Sequence, residues 1–286
     1  MPILAHRPGP GYAQAVPVRR AARTTITSRQ NPLVARFREA GRGGAGGLLL
    51  LDGVHLLVEA LDAGLALDAL AVTDDALEDP AIARLVARVP EAVTVSPEVL
   101  DAMSPVRTAS GVVALAGRPV TSPESCVAAD DPLTVIAVDV QDPGNLGALV
   151  RSAEAAGATG VLTTAGGADP FGWKALRGAM GSAFRLPLAR VDDAGAALSL
   201  ARRHGLRVVA AVARGGAPMS NVGLRGPVAL VLGGEGPGLD AAVAAAADER
   251  ITIPMAAPVE SLNVAVAAAL LVYEARRQRT GGSTLS

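Results

Sequence analysis

The sequence predicts an α/β protein in two domains, a smaller amino-terminal unit followed by a parallel-sheet domain, and three observations carry that prediction. Short apolar runs alternate with stretches of helical spacing, which is how a chain reads when helices cover both faces of a mostly parallel sheet. The segment RPVTSPESCVAADDP, 118–132, holds three prolines and no apolar periodicity, so residues 118–131 are the expected linker. A length of 286 residues suffices for two cores at roughly 100 to 200 residues per domain. The expected division is a basic, flexible arm at 1–26, a first domain at 27–117, the linker, and a second domain at 132–286.

The elements follow in order. Ser28, Asn31 and Pro32 ahead of Leu33, Val34 and Phe37 read as a capped helix with proline in its first turn, running to Ala40 and ended by the Gly-rich turn 41–47. LLLL at 48–51 is a buried strand by its length and brackets. Val54, Leu57, Val58 and Leu61 repeat at helical spacing up to Gly64. Apolar runs at 67–72, 92–95 and 112–116 alternate with helical patterns near 80–88 and 97–103, which completes a small α/β layer unit. Beyond the linker, runs at 133–138, 159–163, 207–212, 228–232 and 250–253 alternate with helical stretches near 146–156, 170–180, 193–204, 239–247 and 263–279. In such sheets ligands sit beyond the carboxyl ends of the strands, which directs attention to the loops that follow them.

Half of the residues are apolar and 2% aromatic, so the cores must be built from Ala, Val and Leu, and global disorder is excluded. One cysteine, Cys126, leaves no disulfide framework and no cysteine-rich zinc site, and fits a reducing compartment; the expected location is the cytoplasm. The first twenty residues carry no apolar core of seven or more and do not read as a signal peptide. The apolar run Val264–Val272 falls short of the roughly 20 residues a bilayer core demands, so no membrane association is expected. The net charge of −1 hides an asymmetry. Residues 1–47 hold eight Arg and one acid, whereas residues 48–131 hold four Arg and fourteen acids. Residues 1–47 are the part suited to a polyanion, by charge and not by stacking, because Tyr12 and Phe37 are the only Phe, Tyr or Trp among them.

Three loops concentrate glycine and polar residues. DVQDPGNLGALVR, 139–151, follows the first strand of the second domain: Pro143, Gly144 and Gly147 shape a tight turn, Asn145 can cap the next helix, and Arg151 stands six residues further, about 600° of helical rotation. GGEGPGLD, 233–240, follows the strand PVALVL, and Pro237 suits a helix start. Its order is not the G-x-G-x-x-G of a dinucleotide site, and Glu235 would stand where a pyrophosphate has to sit, so a cationic or neutral ligand fits better than NAD. IPMAAPVESLNV, 253–264, has two prolines, with Ser261 or Asn263 available to cap an Ala-rich helix whose small side chains suit close packing.

With these three loops in this order, residues 134–279 resemble the SpoU (TrmH-like) branch of the SPOUT RNA 2′-O-ribose methyltransferases. The family's N-x-G-x-x-x-R is Asn145, Gly147 and Arg151; its G-x-E-G-x-G is Gly233, Glu235, Gly236 and Gly238; its I-P-M followed by S-L-N-V is Ile253, Pro254, Met255 and Ser261–Val264. TSRQNP at 27–32 and LLLLDGVHLLVEAL at 48–61 resemble the L30e-like RNA substrate-binding domain of the same enzymes, with Asp52 in place of the usual Glu. Gly234, Ala257, Ala265 and Ala179 also depart from the usual pattern, none of them at a residue of the chemistry.

The resemblance implies S-adenosylmethionine as methyl donor, an RNA 2′-hydroxyl as acceptor, no metal, a deep trefoil knot in the second domain, and a homodimer. By motif position, Gly233, Ile253, Met255, Ser261 and Leu262 hold the donor, while Asn145, Arg151, Glu235 and Asn263 form the polar cluster at the acceptor. A guanidinium is effectively never deprotonated, so Arg151 is expected to clamp the target phosphate and stabilise developing alkoxide and not to act as general base. A separate amino-terminal domain favours 23S ribosomal RNA over the alternative of tRNA. A non-catalytic RNA-binding protein is the alternative from another class, and the intact polar quartet argues against it.

Overall fold

The computed structural model describes residues 25–43, 47–106, 110–236 and 238–281. Of the expected arm, 1–24 lie outside the described residues, as does Pro237. Ile26 lies inside them and bridges Val95 at the edge of the first sheet.

The amino-terminal unit contains α1 (Pro32–Gly41), β1 (Leu48–Asp52), α2 (Val54–Asp62), β2 (Leu67–Val72), α3 (Pro80–Ala87), β3 (Val93–Thr94), α4 (Pro97–Met103) and β4 (Val112–Gly117). Its sheet runs β1-β4-β2-β3, with β4 antiparallel to both neighbours. Alternation along the strands sorts the side chains onto two faces. Leu49, Leu51, Val112 and Ala114 meet Leu56 and Leu57 of α2 and Leu85 of α3. Leu50, Val113 and Leu115 meet Val34 and Phe37 of α1 and Leu100 of α4.

The second unit contains β5 (Leu133–Val138), α5 (Pro143–Ala155), β6 (Gly160–Thr164), α6 (Trp173–Ala179), α7 (Ser182–Arg185), β7 (Leu188–Val191), α8 (Ala194–Arg203), β8 (Arg207–Ala211), β9 (Ala217–Pro218), β10 (Val228–Gly233), α9 (Ala241–Ala246), β11 (Glu249–Thr252) and α10 (Val264–Arg279). Its seven strands are all parallel in the order β7-β6-β5-β10-β8-β11-β9. One face packs on α5, α6 and α10, the other on α8. This is the α/β architecture expected, with three short elements added to it: α7, β7 and the two-residue β9. The helical stretch expected near 170–180 is α6, which ends at Met180, φ 50°, and Gly181, φ 90°; the four-residue α7 that follows has no counterpart among the expected elements. The edge strand β7 was not anticipated, because LARV is four residues long and carries Arg190 exposed.

Residues 118–131 hold a 3-10 turn, Pro123–Cys126, and Cys126 and Val127 are buried against the second sheet. Thr134 Oγ1 donates to the Cys126 carbonyl at 2.6 Å. Burial pushes the Cys126 thiol up to about 12. Arg118 pairs with Asp169 through two bonds of 2.9 and 2.6 Å, and Arg185 ties Glu154 of α5 to Glu59 of α2. Among the described residues no helix is long and apolar enough to cross a membrane.

Candidate active site

Loop one starts where β5 ends. Asp142 is the N-cap of α5, its Oδ1 accepting from the Asn145 backbone N–H at 2.8 Å, and Pro143 follows in the first turn. Capping is therefore done by Asp142 and not by Asn145, whose side chain is left free to reach across the sheet. Its Nδ2 donates to Glu235 Oε1 at 2.7 Å, and its Oδ1 accepts from Asn263 Nδ2 at 2.9 Å. Asn263 in turn caps α10, its Oδ1 accepting from the N–H groups of Ala265 and Val266. Gly147 lies inside α5 and not in the turn; a Cβ there would strike the Ala175 carbonyl, so its job is to let α6 approach α5.

Glu235 gives this chain its polarity. Burial alone would raise its carboxyl, but the Asn145 amide and the backbone N–H groups of its own residue, Gln141 and Asp142 outweigh that and hold it below its ordinary value of 4.5. An ionised carboxylate only accepts, which forces the Asn145 NH2 toward it and the Asn145 oxygen toward Asn263. Gln141 N donates to the second carboxylate oxygen at 3.0 Å.

Beside this network a cleft of about 440 Å³ opens beyond the carboxyl ends of β8, β10 and β11. Gly233, Ile253, Met255, Ser261 and Leu262 all line it, together with Glu235 and Asn263. Ala211, Val212 and Ala213 at the end of β8 line it too, which the motifs did not reveal. The signal available for them was positional: β8 lies between β10 and β11, the strands that carry the two glycine- and proline-rich loops.

Two expected placements change. A Cβ on Gly233 would collide with the backbone of Gly238 and Leu239, so this glycine serves the fold of its own loop before it serves a ligand. Arg151 does not join Asn145, Glu235 and Asn263. Six helical residues place it about 240° around α5 from Asn145. It is exposed, and its side chain makes no hydrogen bond or ion pair with another described residue. Among the described residues no group of three or more His, Cys, Asp or Glu could hold a metal ion.

The site has known counterparts. Residues 132–273 match the SpoU rRNA Methylase family. An uncharacterised tRNA/rRNA methyltransferase of Synechocystis sp. is 36% identical over 269 residues, covering 91% of this chain and 96% of that protein. The 23S rRNA (guanosine(2553)-2′-O)-methyltransferase RlmP of Bacillus subtilis is 42% identical over 143 residues, which span 50% of this chain and 57% of RlmP. The crystal structure of an AdoMet-bound rRNA methyltransferase from Sinorhizobium meliloti superposes with a TM-score of 0.78 at 29% identity, over 89% of this chain and 97% of that one. The family match and the near full-length similarity agree, and the chain belongs to the SpoU rRNA methylase family.

Proposed function

We propose that this protein transfers the methyl group of S-adenosylmethionine to a ribose 2′-hydroxyl of ribosomal RNA, in the 23S molecule. The observation that carries the reading is the adjacency of the cleft to the Glu235–Asn145–Asn263 chain. The cleft fits the donor. Among the described residues its lining has Val212, Leu232, Leu239, Ile251 and Ile253 for an adenosine, no Lys or Arg to repel a sulfonium, and a single carboxylate, Glu235. A dinucleotide's pyrophosphate would instead meet the ionised Glu235 there. When bound there, the donor would supply an electrophilic methyl carbon to the hydroxyl oxygen, with its thioether as the leaving group.

What remains for the protein is orientation, proton loss and exclusion of water. Asn145 and Asn263 present amide donors held in one orientation by Glu235, at the rim where the acceptor oxygen arrives. Glu235 itself stays ionised and hydrogen-bonded, which suits a positioning carboxylate better than a base working near neutrality. Arg151, outside the cleft, is assigned to the target phosphate. Val266, Leu270 and Tyr273 recur on α10 at helical spacing and are 48%, 39% and 45% exposed, an apolar stripe suited to a second copy of the chain. α10 packs against α5, the helix that carries Arg151. The working unit is thus read as a cytoplasmic homodimer, each chain with an L30e-like RNA-binding domain at 27–117, a linker at 118–131 and a knotted catalytic domain at 132–286.

The test is transfer of labelled methyl from S-adenosylmethionine to ribosomal RNA by the purified chain, followed by nuclease digestion and mass spectrometry. A 2′-O-methyl nucleoside is the expected product. Donor binding without transfer to any RNA would favour the non-catalytic alternative.

A further inference from the structure

At the head of loop one stands Asp139, which with Met180 is one of two non-glycine residues with positive φ among those described, at 50°. An aspartate tolerates this left-handed conformation but does not favour it, so something must hold it there. Thr164, the last residue of β6 and 1% exposed, does so from both sides. Its Oγ1 accepts from the Asp139 backbone N–H at 2.8 Å and donates to Asp139 Oδ1 at 2.7 Å.

The neighbouring loops are cut to fit this residue. A Cβ on Gly234 would fall on the Asp139 carbonyl, one on Gly166 would fall on its carboxylate, and one on Gly167 would crowd the backbone of Val140. Gln141 Nε2 closes the turn by donating to the carbonyls of Asp139, 3.2 Å, and Gly166, 2.8 Å. The left-handed residue turns the chain as it leaves β5. That turn faces the Gln141 N–H toward Glu235 and starts α5 where Asn145 reaches Glu235 and Asn263. An extended residue 139 would carry loop one away from loop two.

We propose that Asp139, clasped by Thr164, is a positioning residue for methyl transfer: it fixes loop one against loop two so that Asn145 and Glu235 meet at the acceptor side. The inference rests on the methyltransferase reading above and adds a function to two residues outside the three motifs' polar quartet. Asp139 is exposed, so Asp139→Ala leaves the core untouched. Thr164→Val removes the clasp from the other side, and Thr164→Ser restores it. Asp139→Asn keeps both the tolerance for a left-handed φ and an oxygen acceptor for the Thr164 hydroxyl.

The experiment measures kcat, KM for RNA and the dissociation constant of S-adenosylmethionine for all four variants, with hydrogen exchange at the Gln141 amide. Asp139→Ala and Thr164→Val are expected to lower kcat by about 10- to 100-fold, as small misplacements of reacting groups do, and to leave KM and donor affinity within about threefold. Asp139→Asn and Thr164→Ser are expected to stay within about threefold of the parent in kcat, since the clasp survives in both. Exchange at Gln141 should accelerate in the first pair only. Asp139→Ala with the kcat and the Gln141 exchange of the parent would overturn the proposal, as would equal losses in Asp139→Ala and Asp139→Asn. A parent that binds no S-adenosylmethionine would defeat the assigned reaction instead, and Gln141 exchange would still decide whether the clasp positions the loop.

Discussion

Asn145 and Glu235 lie ninety residues apart in sequence and 2.7 Å apart in space, the amide Nδ2 of one donating to the carboxylate Oε1 of the other. The bond joins the loop after β5 to the loop after β10, neighbouring parallel strands in register from Leu133↔Val228 to Val138↔Gly233. Because Glu235 can only accept, the bond also sets which way Asn145 faces Asn263. Each feature of that arrangement can be tested.

Asn145→Asp would set two carboxylates against each other and remove the donor to Glu235. Turnover should fall by about 100-fold, the scale of losing one preorganised donor at a developing negative charge, while donor affinity, read by calorimetry, stays within about threefold. A variant with parental kcat would show that the amide has no part in the reaction.

The pH behaviour follows from the direction of the Glu235 shift. Its carboxyl is held below its ordinary value of 4.5, so the ionised, hydrogen-bonded form is stabilised in the folded protein. That stabilisation is present above the ordinary value and is lost as pH falls through the lowered one. The Asn145 side-chain amide resonances should therefore stay constant from pH 7 down to 5 and move only below 4.5. A transition near neutrality would mean that Glu235 is free to act as a base.

Gly233→Ala places a methyl group against the backbone of Gly238 and Leu239. The expected result is a joint effect, with stability lowered by about 1 to 3 kcal/mol by overpacking and donor affinity weakened as loop two shifts. Thermal unfolding and calorimetry on the same sample check it. Weakened binding at unchanged stability would restore a direct role for this glycine at the ligand.

Arg151→Ala is expected to abolish transfer and leave donor affinity within a few fold, since Arg151 stands outside the cleft. Leu270→Asp, in the apolar stripe of α10, should convert a dimer to a monomer and lose transfer with it. Sedimentation of the parent at a mass near 28.6 kDa at micromolar concentration would contradict the dimer.

Much of the fold was legible because burial leaves a mark on sequence. β5, LTVIAV, is buried at every position, and a strand covered on both faces reads as an unbroken apolar run. β7, LARV, has only Leu188 and Ala189 buried, and at the sheet's edge Arg190 is free to reach out to the carbonyls of Ala165 and Gly167, so nothing in four residues announced a strand. α7 was equally silent, since the four residues after the Gly181 turn are too few to show a helical period.

The sequence by itself determined which residues could form the site: the order of the three loops, the strands ahead of them, and the identities of Asn145, Glu235 and Asn263. Only the tertiary structure decided how they are used. Asp142 and Asn145 are both competent caps for α5, and Pro143 at its first position favours Asp142. What the chain alone leaves open is the use of Asn145, which finds Glu235 and Asn263 across the sheet, partners that exist only once β10 and α10 have packed beside β5. Asp139 adopts its left-handed turn for the same reason, since the Thr164 hydroxyl that holds it comes from another strand. Periodicity and capping act over a few residues and are written in the chain, whereas a hydrogen bond between residues ninety apart is settled by which strands lie side by side.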